Sequence, residues 1–175
     1  MKKKNNKIGI LGGTFDPPHI GHLYISKIAL KKFRLNKIVW LLTKQNPLKK
    51  KPYLNTNIRL KLSKDIVKKQ KKISIKYLDD MLKTTSTFDL LNYFKKKNKN
   101  TKLFFLIGAD NLINFHKWKK WKKIPDLAKL VVFARKNYST KVFNSVASKK
   151  LKKDDWIYIK SKKVNISSSL IRKFW

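Results

Sequence analysis

Gly12-Gly13-Thr14-Phe15-Asp16-Pro17-Pro18-His19-Ile20-Gly21-His22 follows the apolar run Ile8-Gly9-Ile10-Leu11 and leads into an amphipathic segment. An apolar run, a glycine pair and a helical pattern in that order predict a strand, a sharp turn and a helix start. Two adjacent glycines let the backbone turn and let its N–H groups approach a ligand with no Cβ in the way, so the turn suits an anion. His19 and His22 stand three apart in the first turn of the predicted helix, which puts both rings on one side near its positive end. The expectation is a phosphate-binding crevice flanked by two imidazoles.

Outward from this stretch the chain alternates. Residues 20–33 repeat Ile20, Tyr24 and Ile28 at helical spacing, with Leu23 and Leu30 beside them and lysines on the other face. Residues 37–42, Lys-Ile-Val-Trp-Leu-Leu, have the continuous apolar character of a buried parallel strand. Residues 45–53, with Pro47 and Pro52 among lysines, predict a loop facing a ligand crevice. A helix is predicted over 57–69 from Ile58, Leu60, Leu62, Ile66 and Val67, then a strand over 73–78. Residues 86–95 read as a helix, with Ser86 or Thr87 as N-cap and Asp89 in the first turn. Residues 102–108 are the most apolar strand, expected at the centre. Short helices from Asp110 and over 124–129, a strand over 130–134, a polar surface stretch over 137–155, a strand over 156–159 and a serine-capped helix over 167–173 complete the pattern. Repeated β–α alternation predicts an α/β, doubly wound parallel sheet, and residues 1–175 are read as a single domain.

The chain has no cysteine, which excludes disulfides and thiolate metal sites and fits a reducing cytosol. Lys2, Lys3 and Lys4 make the start basic, but a short glycine-broken strand follows in place of a signal-peptide apolar core. No apolar run approaches the ~18 residues of a membrane span, so a soluble cytoplasmic protein is expected. The net charge of +36 raises nucleic acid as a partner. Its lysines, however, are scattered through every segment, only four residues are arginine, and all nine acids are aspartate. That distribution reads as solvated lysine faces with no specific nucleic-acid partner and no membrane partner.

The phosphate-binding pattern G-x-x-x-x-G-K-[ST] is absent, and Gly9, Gly12 and Gly13 do not fit G-x-G-x-x-G. Nucleophilic catalysis through cysteine or a G-x-S-x-G elbow has no candidate. His116 is the only other histidine and no carboxylate set accompanies the pair, so no protein-held metal is expected. Asp16, before Pro17, is read as a turn residue and not as a general base. Ser167 and Ser168 at a predicted helix start, with Arg172 one turn on, suit phosphate oxygens.

GGTFDPPHIGH resembles the H-x-G-H signature of the nucleotidylyltransferase superfamily, and the longer string resembles the bacterial nicotinate-nucleotide adenylyltransferases. Asn46-Pro47-Leu48-Lys49, Ser86-Thr87-Phe88-Asp89, Gly108-Ala109-Asp110-Asn111, Phe115-His116-Lys117-Trp118 and Ile166-Ser167-Ser168-Ser169-Leu170-Ile171-Arg172 extend the likeness in the same order. The resemblance implies a Rossmann-like fold and adenylyl transfer from ATP to nicotinate mononucleotide, with Mg²⁺ carried by the ATP. Such transfer asks the protein for positioning and charge neutralisation; an imidazolium is favoured beside polyphosphate, although the helix N-terminus pulls the other way.

The resemblance implies His22 on the α-phosphate assisted by His19, and Arg172 with Ser167 and Ser168 on the outer phosphates. It also implies Gly12, Gly13, Thr14, Phe15 and Gly108 around the nucleotide. Asp110 would bind the ribose, although an N-cap for its helix is equally physical. Lys49 would meet a phosphate, Trp118 would stack on the pyridine ring, and Thr87 would meet the pyridine carboxylate, with Leu90 where threonine is frequent in the family. Trp121 is read as helix packing. Sister adenylyltransferases acting on nicotinamide mononucleotide or phosphopantetheine, and a basic nucleic-acid binder on the same fold, are the alternatives; the protein could be a monomer or a homo-oligomer.

Overall fold

β1 (Asn6–Gly13) carries four consecutive buried residues, Ile8, Gly9, Ile10 and Leu11, because both of its faces are covered. The computed structural model describes residues 6–135, 138–160 and 167–174; Ile166 of the serine motif and Asn137 of the polar stretch lie outside them. After β1 come α1 (Ile20–Lys32), β2 (Lys37–Leu42), α2 (Thr56–Val67), β3 (Ile73–Tyr77), α3 (Asp79–Leu82), α4 (Thr87–Lys97) and β4 (Thr101–Gly108). Then follow α5 (Ala109–Ile113), α6 (Ile124–Leu127), β5 (Lys129–Phe133), α7 (Ser139–Phe143), α8 (Val146–Lys150), β6 (Trp156–Ile159) and α9 (Ser168–Ile171).

The six strands form one sheet in the order β3-β2-β1-β4-β5-β6, every pair parallel. This is the predicted doubly wound, Rossmann-like architecture. Strand residues alternate between two cores. Ile10, Val39, Leu41, Phe105, Ile107 and Val132 meet α4 to α8 on one face, while Leu11, Trp40, Leu42, Leu106, Val131 and Phe133 meet α1 and α2 on the other. The strand order reverses between β1 and β4, so the crevice opens where both strands end, at Gly13 and Gly108.

Several local expectations are corrected. The buried residues of α1 are Gly21, Leu23, Ser26 and Ala29, and Ile20 is 62% exposed at the helix start. In α2 the buried stripe is Arg59, Ser63 and Val67, whereas Ile58 and Leu62 face outward. In α2 the inward Arg59 finds partners in distant loops, and in α1 the buried Ser26 donates to the His22 carbonyl and accepts the Trp40 indole N–H. The polar stretch is more than surface: Val142 of α7 and Ala147 of α8 are fully buried in the core. α3 was unforeseen.

Candidate active site

The glycine turn works differently from its sequence reading. Gly12 and Gly13 belong to β1, paired with Leu41 and Leu42, and no glycine has positive φ. Gly12 is needed for close approach, since a Cβ there would lie 3.2 Å from Phe105 Cε2. The reversal of direction falls on Phe15, at φ 50°, beside a cis Asp16–Pro17 peptide. A left-handed conformation costs a non-glycine residue ~1–2 kcal/mol. Phe15 is held there by burial and by stacking on Trp40 at 5.1 Å and 9°. Its side chain is buried in the core, so its backbone is the part that borders the turn.

His19 is the N-cap of α1. Its Nδ1 accepts the Gly21 N–H at 3.1 Å, while His22 Nδ1 accepts the His19 N–H at 3.1 Å. Both Nδ1 atoms are thus acceptors, which leaves the proton of each neutral ring on Nε2 as a free donor. The ring centroids are 3.9 Å apart, and Phe15 at 4.8 Å and Trp40 at 5.8 Å back the His22 ring. Burial, then the Arg135 charge, lowers the His19 pKa to about 4. Burial, then His19 and Arg135, holds His22 well below its ordinary value. In the ligand-free site both shifts favour the neutral rings, each with its proton on Nε2. The cause is burial of both rings together with the nearby Arg135 charge.

Gly108 caps α5, so Asp110 is not the N-cap; it sits one residue inside the helix. A Cβ at 108 would fall 2.6 Å from Asp110 Oδ1, so this glycine makes room for the carboxylate. Asp110 Oδ2 pairs with Arg135 Nη1 at 2.8 Å and with Lys49 Nζ at 3.9 Å. Its Oδ1 is buried and has no hydrogen-bond partner among the described residues. Such an acceptor is costly to leave unmet and suits a hydroxyl donor. Lys49, Asp110 and Trp118 line one cavity of about 190 Å³ together with Asn46 and Tyr138. Trp118 is half-buried against Phe115 at 5.1 Å, and Trp121 packs edge-on to Phe115 at 6.2 Å as expected.

Thr87 does not line that cavity. It opens α4 behind the Ser86 cap, next to the Trp118 segment. Lys119 bonds Asp89 at 2.9 Å and Lys120 lies 5.1 Å from the Phe88 ring centroid, joining the two segments. Leu90 is buried in the core and does not reach the crevice.

The C-terminal wall lies over the glycine turn. Ser167 caps α9 by accepting the Leu170 N–H at 3.1 Å, and Ser168 Oγ donates to the Pro17 carbonyl at 2.8 Å. Arg172 donates to the Asp16 carbonyl, stands 3.6 Å from Asp16 Oδ2 and lies 5.2 Å from the Tyr53 ring centroid. His116 is apart from the pair, donating from Nδ1 to the Ile113 carbonyl at 3.1 Å. Among the described residues no group of three or more histidine and acidic residues could hold a metal, and no helix is long and apolar enough to cross a membrane.

The histidine pair, the C-terminal wall and the unpartnered Asp110 Oδ1 therefore meet at the switch point of a parallel sheet. A family model described as cytidylyltransferase-like matches residues 10–174. A protein of Pelagibacter ubique (strain HTCC1062) named "Probable nicotinate-nucleotide adenylyltransferase" is 46% identical over 173 residues, covering 99% of this chain and 96% of the relative. The chain belongs to the nicotinate-nucleotide adenylyltransferase family. A second relative with that name, from Clostridium tetani (strain Massachusetts / E88), is 36% identical and covers 99% of this chain and 86% of its own.

Among solved structures, the Plasmodium falciparum nicotinic acid mononucleotide adenylyltransferase complexed with NaAD superposes with a TM-score of 0.78 at 24% identity. It covers 97% of this chain and 84% of its own. At that identity the likeness speaks for the fold.

Three residues of this adenylyltransferase's site were missed by sequence reasoning. Asp16 is no mere turn residue: it is buried, and its two oxygens accept the Tyr53 and Leu54 N–H groups at 2.9 Å each. Arg135, just past β5, faces Asp110 and the histidines. Arg59 is buried beneath the loops. A signal existed for the arginines: only four occur among many lysines, and three of those four, Arg59, Arg135 and Arg172, are in or under the crevice.

Proposed function

We propose that this adenylyltransferase moves the adenylyl group of ATP onto nicotinate mononucleotide with the histidine pair holding the transferring phosphoryl group. A phosphate oxygen of the mononucleotide attacks the α-phosphorus in line. The bond from that phosphorus to the bridging oxygen breaks, and pyrophosphate leaves with nicotinate adenine dinucleotide as product. The observation that carries the assignment is the double locking of Nδ1, which commits His19 and His22 to donate from Nε2 without changing protonation state. Fixed donors aimed at developing phosphoryl charge lower the barrier with no reorganisation during the step.

ATP is assigned to the glycine turn and the C-terminal wall: Gly12, Gly13, the Thr14 and Phe15 backbone, Gly108, Ser167, Ser168 and Arg172, with Asp110 Oδ1 accepting from a ribose hydroxyl. The mononucleotide is assigned to Lys49, Trp118 and Thr87. Mg²⁺ fits as a cation brought by the polyphosphate, because Asp16 is already engaged by Arg172 and two N–H groups and Asp110 Oδ2 by Arg135. When bound it neutralises charge on the leaving pyrophosphate. A cytoplasmic location accords with ATP as substrate.

Pyrophosphate release from ATP with each mononucleotide tests the reading. Donors at the α4 start satisfy a carboxylate, whereas an amide presents its own NH₂ to them. An unpaired buried group costs ~1–3 kcal/mol, so the acid is expected to be favoured by at least ~10-fold in kcat/KM. Equal values would move the protein to dual specificity, and no pyrophosphate with either would overturn the reading.

A further inference from the structure

Arg59 is 1% exposed, yet among the described residues it forms no ion pair. All five of its N–H donors are satisfied by neutral oxygens. Nε donates to Leu54 O at 3.0 Å, Nη1 to Thr14 O at 2.6 Å and Thr43 O at 2.8 Å, and Nη2 to Lys44 O at 3.0 Å and Thr56 Oγ1 at 3.1 Å. One planar group thus joins the glycine turn, the exit of β2 and the approach to α2.

Two carboxylates grip the same segments from their other side. Asp79 Oδ2 accepts the Thr43 hydroxyl at 2.6 Å and the Lys44 N–H at 2.7 Å. Asp16 accepts the Tyr53 and Leu54 N–H groups. The cation takes carbonyls and the anions take N–H groups, so charge is balanced through peptides and not by contact. A buried cation costs several kcal/mol to desolvate, a cost that the apolar Val67 on the same buried stripe does not carry. The geometric yield of the arginine is a fixed Thr14 carbonyl. That carbonyl directly precedes Phe15 and the short loop to the His19 N–H, which locks His22.

We propose that Arg59 is a positioning residue for adenylyl transfer: its guanidinium plane sets the glycine turn against the Lys49-bearing loop and thereby the orientation of the histidine pair. This inference rests on the function proposed above. It also deepens it, because Arg59 touches no substrate and acts through backbone atoms alone.

The test uses Arg59→Lys, which keeps the charge but offers donors from a single nitrogen, and Thr56→Val, which removes one acceptor at the half-buried end of the network. Arg59→Lys is expected to lower kcat by ~10- to 100-fold with KM for both substrates little changed, the size of effect that small misplacements of a site produce. The midpoint of the His22 ring titration, followed by NMR without substrate, is expected to rise toward its ordinary value as the ring loosens. Thr56→Val should move both readouts in the same direction by a few-fold or less.

Wild-type kcat in folded Arg59→Lys, or a lost kcat with the His22 midpoint unmoved, would overturn the proposal. So would an unfolded Arg59→Lys accompanied by a kinetically silent Thr56→Val, which would assign Arg59 to stability alone. If the wild type makes no dinucleotide, the functional reading fails, and the NMR titration still decides the role of Arg59.

Discussion

The two walls of the crevice are held in opposite ways. On the histidine wall, the bonds that orient the rings run from Gly21 to His19 and from His19 to His22, spans of two and three residues. On the C-terminal wall, Ser168 and Arg172 bond to Pro17 and Asp16 across 151 and 156 residues. Local bonds form whenever α1 forms; the distant ones need the whole sheet assembled. The rings of the first wall are thus oriented by bonds within one helix start, whose approach is tied down through the Thr14 carbonyl, whereas the second wall is seated on Asp16 and Pro17 by contacts distant in sequence. Preorganisation belongs with the transition state, and a separately seated wall belongs with binding and release.

Removing the histidine donor would break the comparison most severely. His22→Ala is expected to fold and to lose ~10²- to 10³-fold in kcat, the cost of one transition-state donor. Near-normal turnover of the folded variant would deny the first wall its role.

Arg172→Ala is expected to raise the KM for ATP by ~10-fold or more, worth ~1.4 kcal/mol, with a smaller change for the mononucleotide. Lysine should recover only part of this, since a point charge cannot reproduce the fork. If calorimetry finds ATP affinity unaltered, Arg172 serves only to tie Asp16 and Tyr53 together.

Trp118→Ala tests whether the cavity beside the walls is shared by both substrates. Loss of a stacking surface costs ~1–3 kcal/mol per ring, so the mononucleotide KM should rise by about tenfold while that of ATP stays put. A parallel rise for ATP would place the tryptophan in the general packing of the crevice.

The smallest effect is expected from pH between 6.5 and 8. The folded pKa of His19 is about 4 and that of His22 is well below 6.5, so neither ring changes charge in that range. kcat/KM should show no histidine limb there. Below it the unfolded chain binds protons that the folded protein refuses, so stability is fully present above 6.5 and falls as pH drops toward 4. A rise of kcat/KM on acidification from 8 to 6.5 would mean that an imidazolium is required.

The existence of the strands was legible because buried parallel strands are continuous apolar runs: Lys37–Leu42 and Trp156–Ile159 end where their composition changes. The histidine pair was legible for the same local reason, an i, i+3 spacing on a helix start. Expectations failed where a residue's environment is supplied by chain far away. Helical periodicity marked Ile58 and Leu62 as the inner face of α2, yet Arg59 points inward because carbonyls from three segments, at Thr14, at Thr43 and Lys44, and at Leu54, meet it there. Asp16 looked like a turn residue because nothing near it in sequence announces Tyr53, Leu54 or Arg172.

Sequence alone therefore determined the alternation of elements, the crevice at the end of β1 and the two imidazoles beside it, all of which follow from side-chain periodicity and hydrogen bonds a few residues long. Tertiary structure alone decided the protonation of those rings, the burial of Phe15 and Arg59, and the seat of Arg172. Those properties depend on desolvation and on fields from Arg135, Asp16 and Asp79, groups brought near only when the sheet closes its two layers of helices.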